Sequence, residues 1–396
     1  MLPLKRKCIL LAVPVLFLAC QKSSPTSSVA KAADTVAPNW GDTVPQDREA
    51  NDTARFLAGM PGDPGSQLTA MEADAAWQEH RKLMDAAWAR ADERLIRGLH
   101  EFQHTELSAE PFARNVLFYP FSGPDALIAT ICFPESPTYD LVALEPAGSL
   151  PSAGELQKKN LGEYLSGIRT TVASELGKSF FVTREMDRQF RGQITDGLLV
   201  PVLLLLVRTE RTVLGFKYVR LNEQGQIVDR PGNAHVEAKH ANKGFVIEFR
   251  EDADKSIHRL YYLSLNLDNN HLAGNTGFQQ WVKAMPPHTT LLKATSYMTH
   301  HAEFSTIRDL VIDYSAAVFQ DDSGVPYRFF TPDHWNVQLY GEYTKPYGSF
   351  SWLEQPDLRK AYVAGGVKPL SLRLGYGFGK VTSNLLLAKR LPAQSQ

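Results

Sequence analysis

The chain has 396 residues, 43% of them hydrophobic, with 42 basic and 43 acidic side chains for a formal net charge of −1. Such a balance supports a packed core and lacks the basic excess on which nucleic-acid binding depends, so no nucleic-acid partner is expected. Cysteine occurs three times, at Cys8, Cys20 and Cys132.

The first 20 residues divide into a basic start (Lys5, Arg6, Lys7), an apolar run from Cys8 to Leu18 interrupted by Pro14, and small Ala19 before Cys20. That is the layout of a secretory signal, and the run is too short to serve as a permanent membrane span. The ending Phe17-Leu18-Ala19-Cys20 resembles the bacterial lipobox, departing from it at Phe17, where Leu is usual. The resemblance implies cleavage before Cys20 and lipid on its thiol. Two or three acyl chains anchor stably where one is marginal. Gln21, in the place where inner-membrane lipoproteins commonly carry Asp, points to the outer membrane. With Cys8 in the signal and Cys20 lipidated, only Cys132 remains for the body, which is expected to hold no internal disulfide.

A Ser/Pro/Thr-rich stretch follows, and Pro61-Gly-Asp-Pro-Gly65 marks the approach to structure. The expected division is a signal peptide over 1–19, a lipidated cysteine and flexible tether over 20–66, a helical lead over 67–112, and an α/β domain over 113–396. In the lead, Trp77, Leu83, Trp88, Leu95, Ile96 and Leu99 recur at helical spacing. Strands are predicted at 115–119 and 139–144 and helices at 125–131 and 161–176, an alternation that argues for parallel pairing with crossovers. The apolar run 197–207 reads as a buried helix or central strand. Strands at 213–221, 245–250 and 258–267, separated by polar turns, read as an antiparallel insertion around 211–270. Further on, helices are expected near 278–285 and 304–314, and strands near 290–296, 316–320, 337–343 and 370–376. The fold class is therefore α/β, with a Rossmann-like, mainly parallel sheet, an antiparallel insertion and a helical N-terminal lead.

Three constellations bear on chemistry. His100-Glu101-Phe102-Gln103-His104 matches His-Glu-x-x-His. On a helix both imidazoles share a face, as zinc ligation requires, and Glu101 is then placed to activate a bound water. The five residues resemble the zinc-metallopeptidase motif, which implies a Zn2+ hydrolase. Glu106 and Arg97 depart from that family's surroundings, and the alternative is two solvated histidines near a helix end.

The second is Tyr119-Pro-Phe-Ser-Gly-Pro-Asp125 at the end of the first predicted parallel strand, with Glu145 ending the next. Ligands of open parallel sheets bind beyond the strands' carboxyl ends. The pair resembles the nucleotide-binding half of a methyltransferase-like fold, which implies an acidic residue on ribose hydroxyls. It lacks Gly-x-Gly-x-x-Gly, and Pro120 and Pro124 stiffen the loop. The alternative is a rigid turn with Asp125 at a helix start. If a ligand binds, Tyr119, Ser122, Gly123, Asp125 and Glu145 are expected to hold it, with the helix amides favouring an anionic group, Ser122 donating to it, and Tyr119 at the rim. The segment is also similar to one in bacterial envelope proteins of no assigned activity.

The third is Gln320-Asp-Asp-Ser-Gly-Val-Pro326, expected to be a solvated turn. No Gly-x-Ser-x-Gly elbow is present. The combined expectation is a lipid-anchored envelope protein whose body is a non-catalytic binding domain for a small molecule, glycan or envelope protein, needing no cofactor, with the zinc hydrolase as alternative.

Overall fold

The computed structural model describes residues 46–178, 196–230, 242–251, 256–346, 348–377 and 383–392. The signal peptide, Cys20 and the tether up to residue 45 lie outside them. Residues 48–66, expected within the tether, belong instead to the folded body. Helix α1 (Arg48–Leu57) is capped by Asp47, whose carboxylate accepts from Ala50 N, and Phe56 and Leu57 are fully buried. Asn51 Oδ1 accepts from Val213 N at 3.1 Å, which ties the helix to a strand 162 residues later. That long-range contact orders a segment whose composition alone predicts disorder.

The lead is helical. It comprises α2 (Ala75–Ala91), α3 (Arg97–Phe102) and wider π-type turns at Asp92–Ile96 and Gln103–Leu107. Ten strands then form one sheet, in the spatial order β4-β3-β5-β6-β2-β1-β7-β8-β10-β9. In chain order they are β1 (Val116–Pro120), β2 (Thr138–Ala143), β3 (Arg211–Leu221), β4 (Ile227–Asp229), β5 (Lys243–Glu251), β6 (Ile257–Ser264), β7 (His288–Leu292), β8 (Ser315–Gln320), β9 (Trp335–Gly341) and β10 (Asn384–Arg390).

Parallel pairing is confined to the central five strands, β6-β2-β1-β7-β8. The remaining pairings are antiparallel: β3 with β4 and with β5, β5 with β6, and β10 with both β8 and β9. The expectation of a mainly parallel sheet thus holds for the middle only. Strand β6, expected within the antiparallel insertion, is the seam, paired antiparallel to β5 and parallel to β2.

Successive residues of a strand face opposite sides of the sheet, so β1 feeds two cores. Leu117 and Tyr119 join α4 (Ala126–Cys132), part of α5 (Leu161–Lys178) and α6 (Leu199–Arg208) on one face. Phe118 meets α7 (Thr276–Ala284) and α8 (Ser305–Tyr314) on the other. The run 197–207 is mostly helix α6, with Leu199–Val207 all buried. Pro201 sits in its first turn, where a missing N–H breaks no intrahelical bond. Among the described residues no helix is long and apolar enough to cross a membrane.

One expectation near the C-terminus fails. Residues 370–376 run beside the sheet without joining it as a strand, and the last strand is Asn384–Arg390. Leu385, Leu386 and Leu387 are good helix formers, but pairing on both edges, with β8 and with β9, overrides local propensity. Helix α9 (Pro356–Ala364) was not anticipated.

Candidate functional site

The chain lays down β1 in the centre, moves outward through β2 to β6, then returns to place β7 on the other side of β1. The connections change face at this point. The loops after β1 and β7 therefore diverge and open a crevice between them. A cavity of about 680 Å³ occupies this position. Its walls come from the carboxyl ends of β1, β2, β6 and β7, together with Ser349, Phe350 and Tyr376 from the C-terminal third. Tyr119, Ser122, Gly123, Asp125 and Glu145 all line it. The strand adjacency assumed for them is present, with Pro120 opposite Val142 and Ser122 N donating to Val142 O at 3.1 Å.

Three of the roles expected for these residues change. Tyr119 is buried on the cavity floor rather than at its rim, and its hydroxyl donates to Asp125 Oδ2 at 2.8 Å. Asp125 fills the start of the seven-residue helix α4 with its own carboxylate, Oδ1 accepting from Ile128 N at 3.1 Å. The anionic group expected at those amides is therefore the protein's own side chain. Ser122 Oγ donates to Gly123 O at 2.9 Å and is engaged within its loop. Glu145 is buried at the end of β2, and its carbonyl oxygen accepts from Tyr262 OH at 2.5 Å.

Lys293, one residue past β7, ion-pairs with Asp125 Oδ2 at 2.8 Å, and both side chains are almost fully buried. A buried pair persists when further hydrogen bonds offset its desolvation. Tyr119 and the α4 amide supply them here. A cationic residue ending an apolar parallel strand, Leu291-Leu292-Lys293, is a local signal that sequence reasoning passed over.

The loop beyond Lys293 has an unusual backbone. Ala294, Ser296 and Tyr297 take φ values of 52°, 53° and 57°. Left-handed conformations cost a non-glycine residue roughly 1–2 kcal/mol each and persist only where the surroundings enforce them. The enforcing groups lie far along the chain. Asp321 Oδ2 accepts from Ala294 N at 2.9 Å, and Ser323 Oγ accepts from Thr295 N at 2.9 Å. Tyr376 OH accepts from Ser296 N at 3.1 Å and donates to Ala294 O at 3.1 Å. Tyr297 OH donates to Asp322 Oδ2 at 2.6 Å.

The turn holding Asp321 and Asp322 is therefore not solvated as expected. Asp321 is 3% exposed, and burial with the neighbouring Asp322 pushes its carboxyl up to about 6. Gly375 passes so close that an added Cβ would lie 2.1 Å from Asp321 Oδ2, so only glycine fits there. Neither the turn's role nor that of Tyr376 has a local signal.

His100, Glu101 and His104 lie exposed on α3 and the turn after it, outside the crevice, while Phe102 between them is buried. Partial desolvation against the neighbouring chain and nearby Arg211 hold the His100 ring, although it reaches the surface, below the usual imidazole range. Among the described residues, no group of three or more His, Cys, Asp or Glu side chains is arranged to hold a metal ion. Cys132 is fully buried, and burial pushes its thiol up, away from the reactive thiolate.

Compared with known protein-family models, curated proteins and solved structures, the chain matches none.

Proposed function

We propose that this is a lipid-anchored protein of the bacterial envelope whose α/β body binds a small molecule in the crevice between β1 and β7. The observation that carries the reading is the cavity of about 680 Å³ at the strands' carboxyl ends, lined by all five residues nominated from sequence. Volumes of roughly 300–1,000 Å³ are typical of small-molecule sites. The order of the five parallel strands is that of a doubly wound, Rossmann-like nucleotide-binding sheet, with the cavity at its switch point. The left-handed backbone at Ala294, Ser296 and Tyr297 adds weight, since such strain gathers at ligand-binding loops. Among the lining residues we assign to Glu145 the role of accepting from a ligand's paired hydroxyls. Binding is favoured over catalysis because Ser122 and Ser296 bond to a backbone carbonyl and to Tyr376 OH, and among the described residues no imidazole is bonded to either hydroxyl.

Thermal unfolding of the chain with adenosine, uridine, glucose, inositol and free amino acids as separate probes tests the crevice. A true ligand at ten times its Kd stabilises by about 1.4 kcal/mol and raises the melting temperature of a body this size by roughly 2 °C. That shift should vanish in Glu145→Gln. No shift from any probe, or one indifferent to Glu145→Gln, contradicts the reading. The anchor is tested separately by Cys20→Ser, which should move the protein from the membrane to the soluble fraction. Unchanged membrane retention would remove the lipid from the proposal.

A further inference from the structure

We infer that the strap Gly348–Leu353 is a gate over the crevice, with Phe350 as its plug. The inference rests on the crevice being a binding site and concerns how that site is reached.

Most of the cavity wall is built from the strand ends and the loops that follow them, whereas Ser349 and Phe350 come from a short, mostly exposed 3-10 segment of the C-terminal third. Most of the strap is exposed, and only Phe350 and Leu353 are half-buried. Its two feet are fixed. Gln355 N donates to Tyr343 OH at 2.9 Å, joining the chain just before the strap to the chain just after it. Arg359 reaches both feet, donating to Thr344 O and pairing with Glu354 Oε1 at 2.6 Å. Between the feet, the strap's seating on the body is aromatic. Phe350 lies against Tyr297 and Tyr376, at ring separations of 5.1 and 5.4 Å, and Trp352 covers His301 at 5.7 Å while remaining 69% exposed.

A loop tied at its feet and held at its tip, among the described residues, by ring contacts has the mechanics of a gate. Aromatic contacts are individually weak, so two or three hold the strap shut while leaving an open state accessible. Hydrogen bonds at the feet keep the opened strap in place for reclosure. Gly348, at φ 58°, with nothing within 4 Å of the position its Cβ would occupy, supplies the pivot. The rings receiving Phe350 belong to the same residues, Tyr297 and Tyr376, that hold the left-handed loop. Gate closure and loop geometry thus share one support.

The test reads access without needing a ligand. The full chain carrying Cys8→Ser and Cys20→Ser keeps only Cys132, which is fully buried. Adding Ser122→Cys places a thiol in the crevice, and its reaction with a small methanethiosulfonate reagent is timed. A gate makes labelling slow in this background, at least about tenfold faster with Phe350→Ala, and intermediate with Trp352→Ala, a factor of ten corresponding to about 1.4 kcal/mol. Rates agreeing within about twofold across all three proteins would overturn the gate. The same strap variants retaining Ser122 must stay unlabelled. Reaction of Cys132 at the accelerated rate would mean general loosening and would also reject the gate. A crevice that ignores every probe yet shows strap-dependent labelling defeats the binding reading and leaves the gate standing.

Discussion

Two loops face each other across the crevice and differ in how much of their shape comes from residues far along the chain. The loop after β1, residues 121–125, takes most of its shape from neighbouring residues. Pro120 and Pro124 restrict it, Gly123 takes φ 55° at no steric cost, Asp125 caps the next helix three residues on, and Phe121 at φ 62° is its one strained position. The loop after β7, residues 293–297, puts Ala, Ser and Tyr into the same left-handed region, where each is strained. It is held by Asp321, Asp322, Ser323 and Tyr376, from 25 to 82 residues away. The first loop draws on remote partners at two points, Val142 O for Ser122 N and Lys293 for Asp125. The second depends on the completed fold, and its stability should respond to changes made elsewhere.

The largest such response is expected from pH. His300, one turn beyond the second loop, is lowered to about 4 by burial, with Arg328 and His301 lowering it further and carbonyls near Gly324 and Asp322 opposing. Its folded pKa lies below the unfolded value of 6.5, so its contribution is complete above pH 6.5 and is lost as pH falls through about 4. The loss reaches about 3 kcal/mol. Asp321 acts in the opposite sense. Its raised carboxyl favours the folded state below its unfolded value of 3.8, and that contribution disappears as pH rises through about 6. Denaturant titrations of the parent and His300→Gln between pH 7 and 4 should differ in slope, the variant losing less. Parallel profiles would show that this imidazole does not govern the loop.

Next in size is Asp321→Ala. It leaves the amides of Ala294 and Ser323 without their acceptor, at about 1–3 kcal/mol each, partly offset by removal of a buried charge. A net loss of about 2 kcal/mol is expected in urea unfolding, with faster amide exchange confined to 294–297. Exchange rising equally in the loop after β1 would erase the contrast between the loops.

Tyr376→Phe keeps the ring contacts and removes the hydroxyl that bonds to Ser296 N and Ala294 O. About 1 kcal/mol should be lost. A neutral result would place the weight on the rings instead.

The smallest effect has the opposite sign. Ala294→Gly relieves the left-handed strain and adds unfolded-state entropy, leaving stability unchanged or up to about 1 kcal/mol higher. A clear loss would mean that the Ala294 methyl group contributes packing outweighing the strain.

The same contrast explains what was legible in the sequence. The segment 119–125 and Glu145 were found because Pro, Gly and an N-capping Asp announce a turn and a helix start in adjacent residues, and strand–helix alternation puts both on one sheet edge. Lys293 carried a faint signal and was passed over. Asp321 and Asp322 were misread as solvated because the Asp-Asp-Ser-Gly sequence is identical in a surface turn and in a buried one. What surrounds it is decided by Ala294, Tyr297 and Asn384.

By itself, then, the sequence determined the elements whose causes are local. These are the helical lead, the alternating strands and helix from 116 to 143, and the capped turn that opens the crevice; for the apolar run at 197–207 the sequence determined burial and left helix or strand open. Tertiary structure decided whatever depends on partners remote in the chain. It drew residues 48–57 into the body through Asn51 and Val213, made Asn384–Arg390 a strand between β8 and β9, and limited parallel pairing to the central five strands. It also turned an ordinary Ala-Thr-Ser-Tyr stretch into a strained wall of the crevice. The physical reason is one of range. Capping, turn formation and side-chain periodicity act within a few residues, whereas strand neighbours and the burial of a carboxylate exist only once distant segments have met.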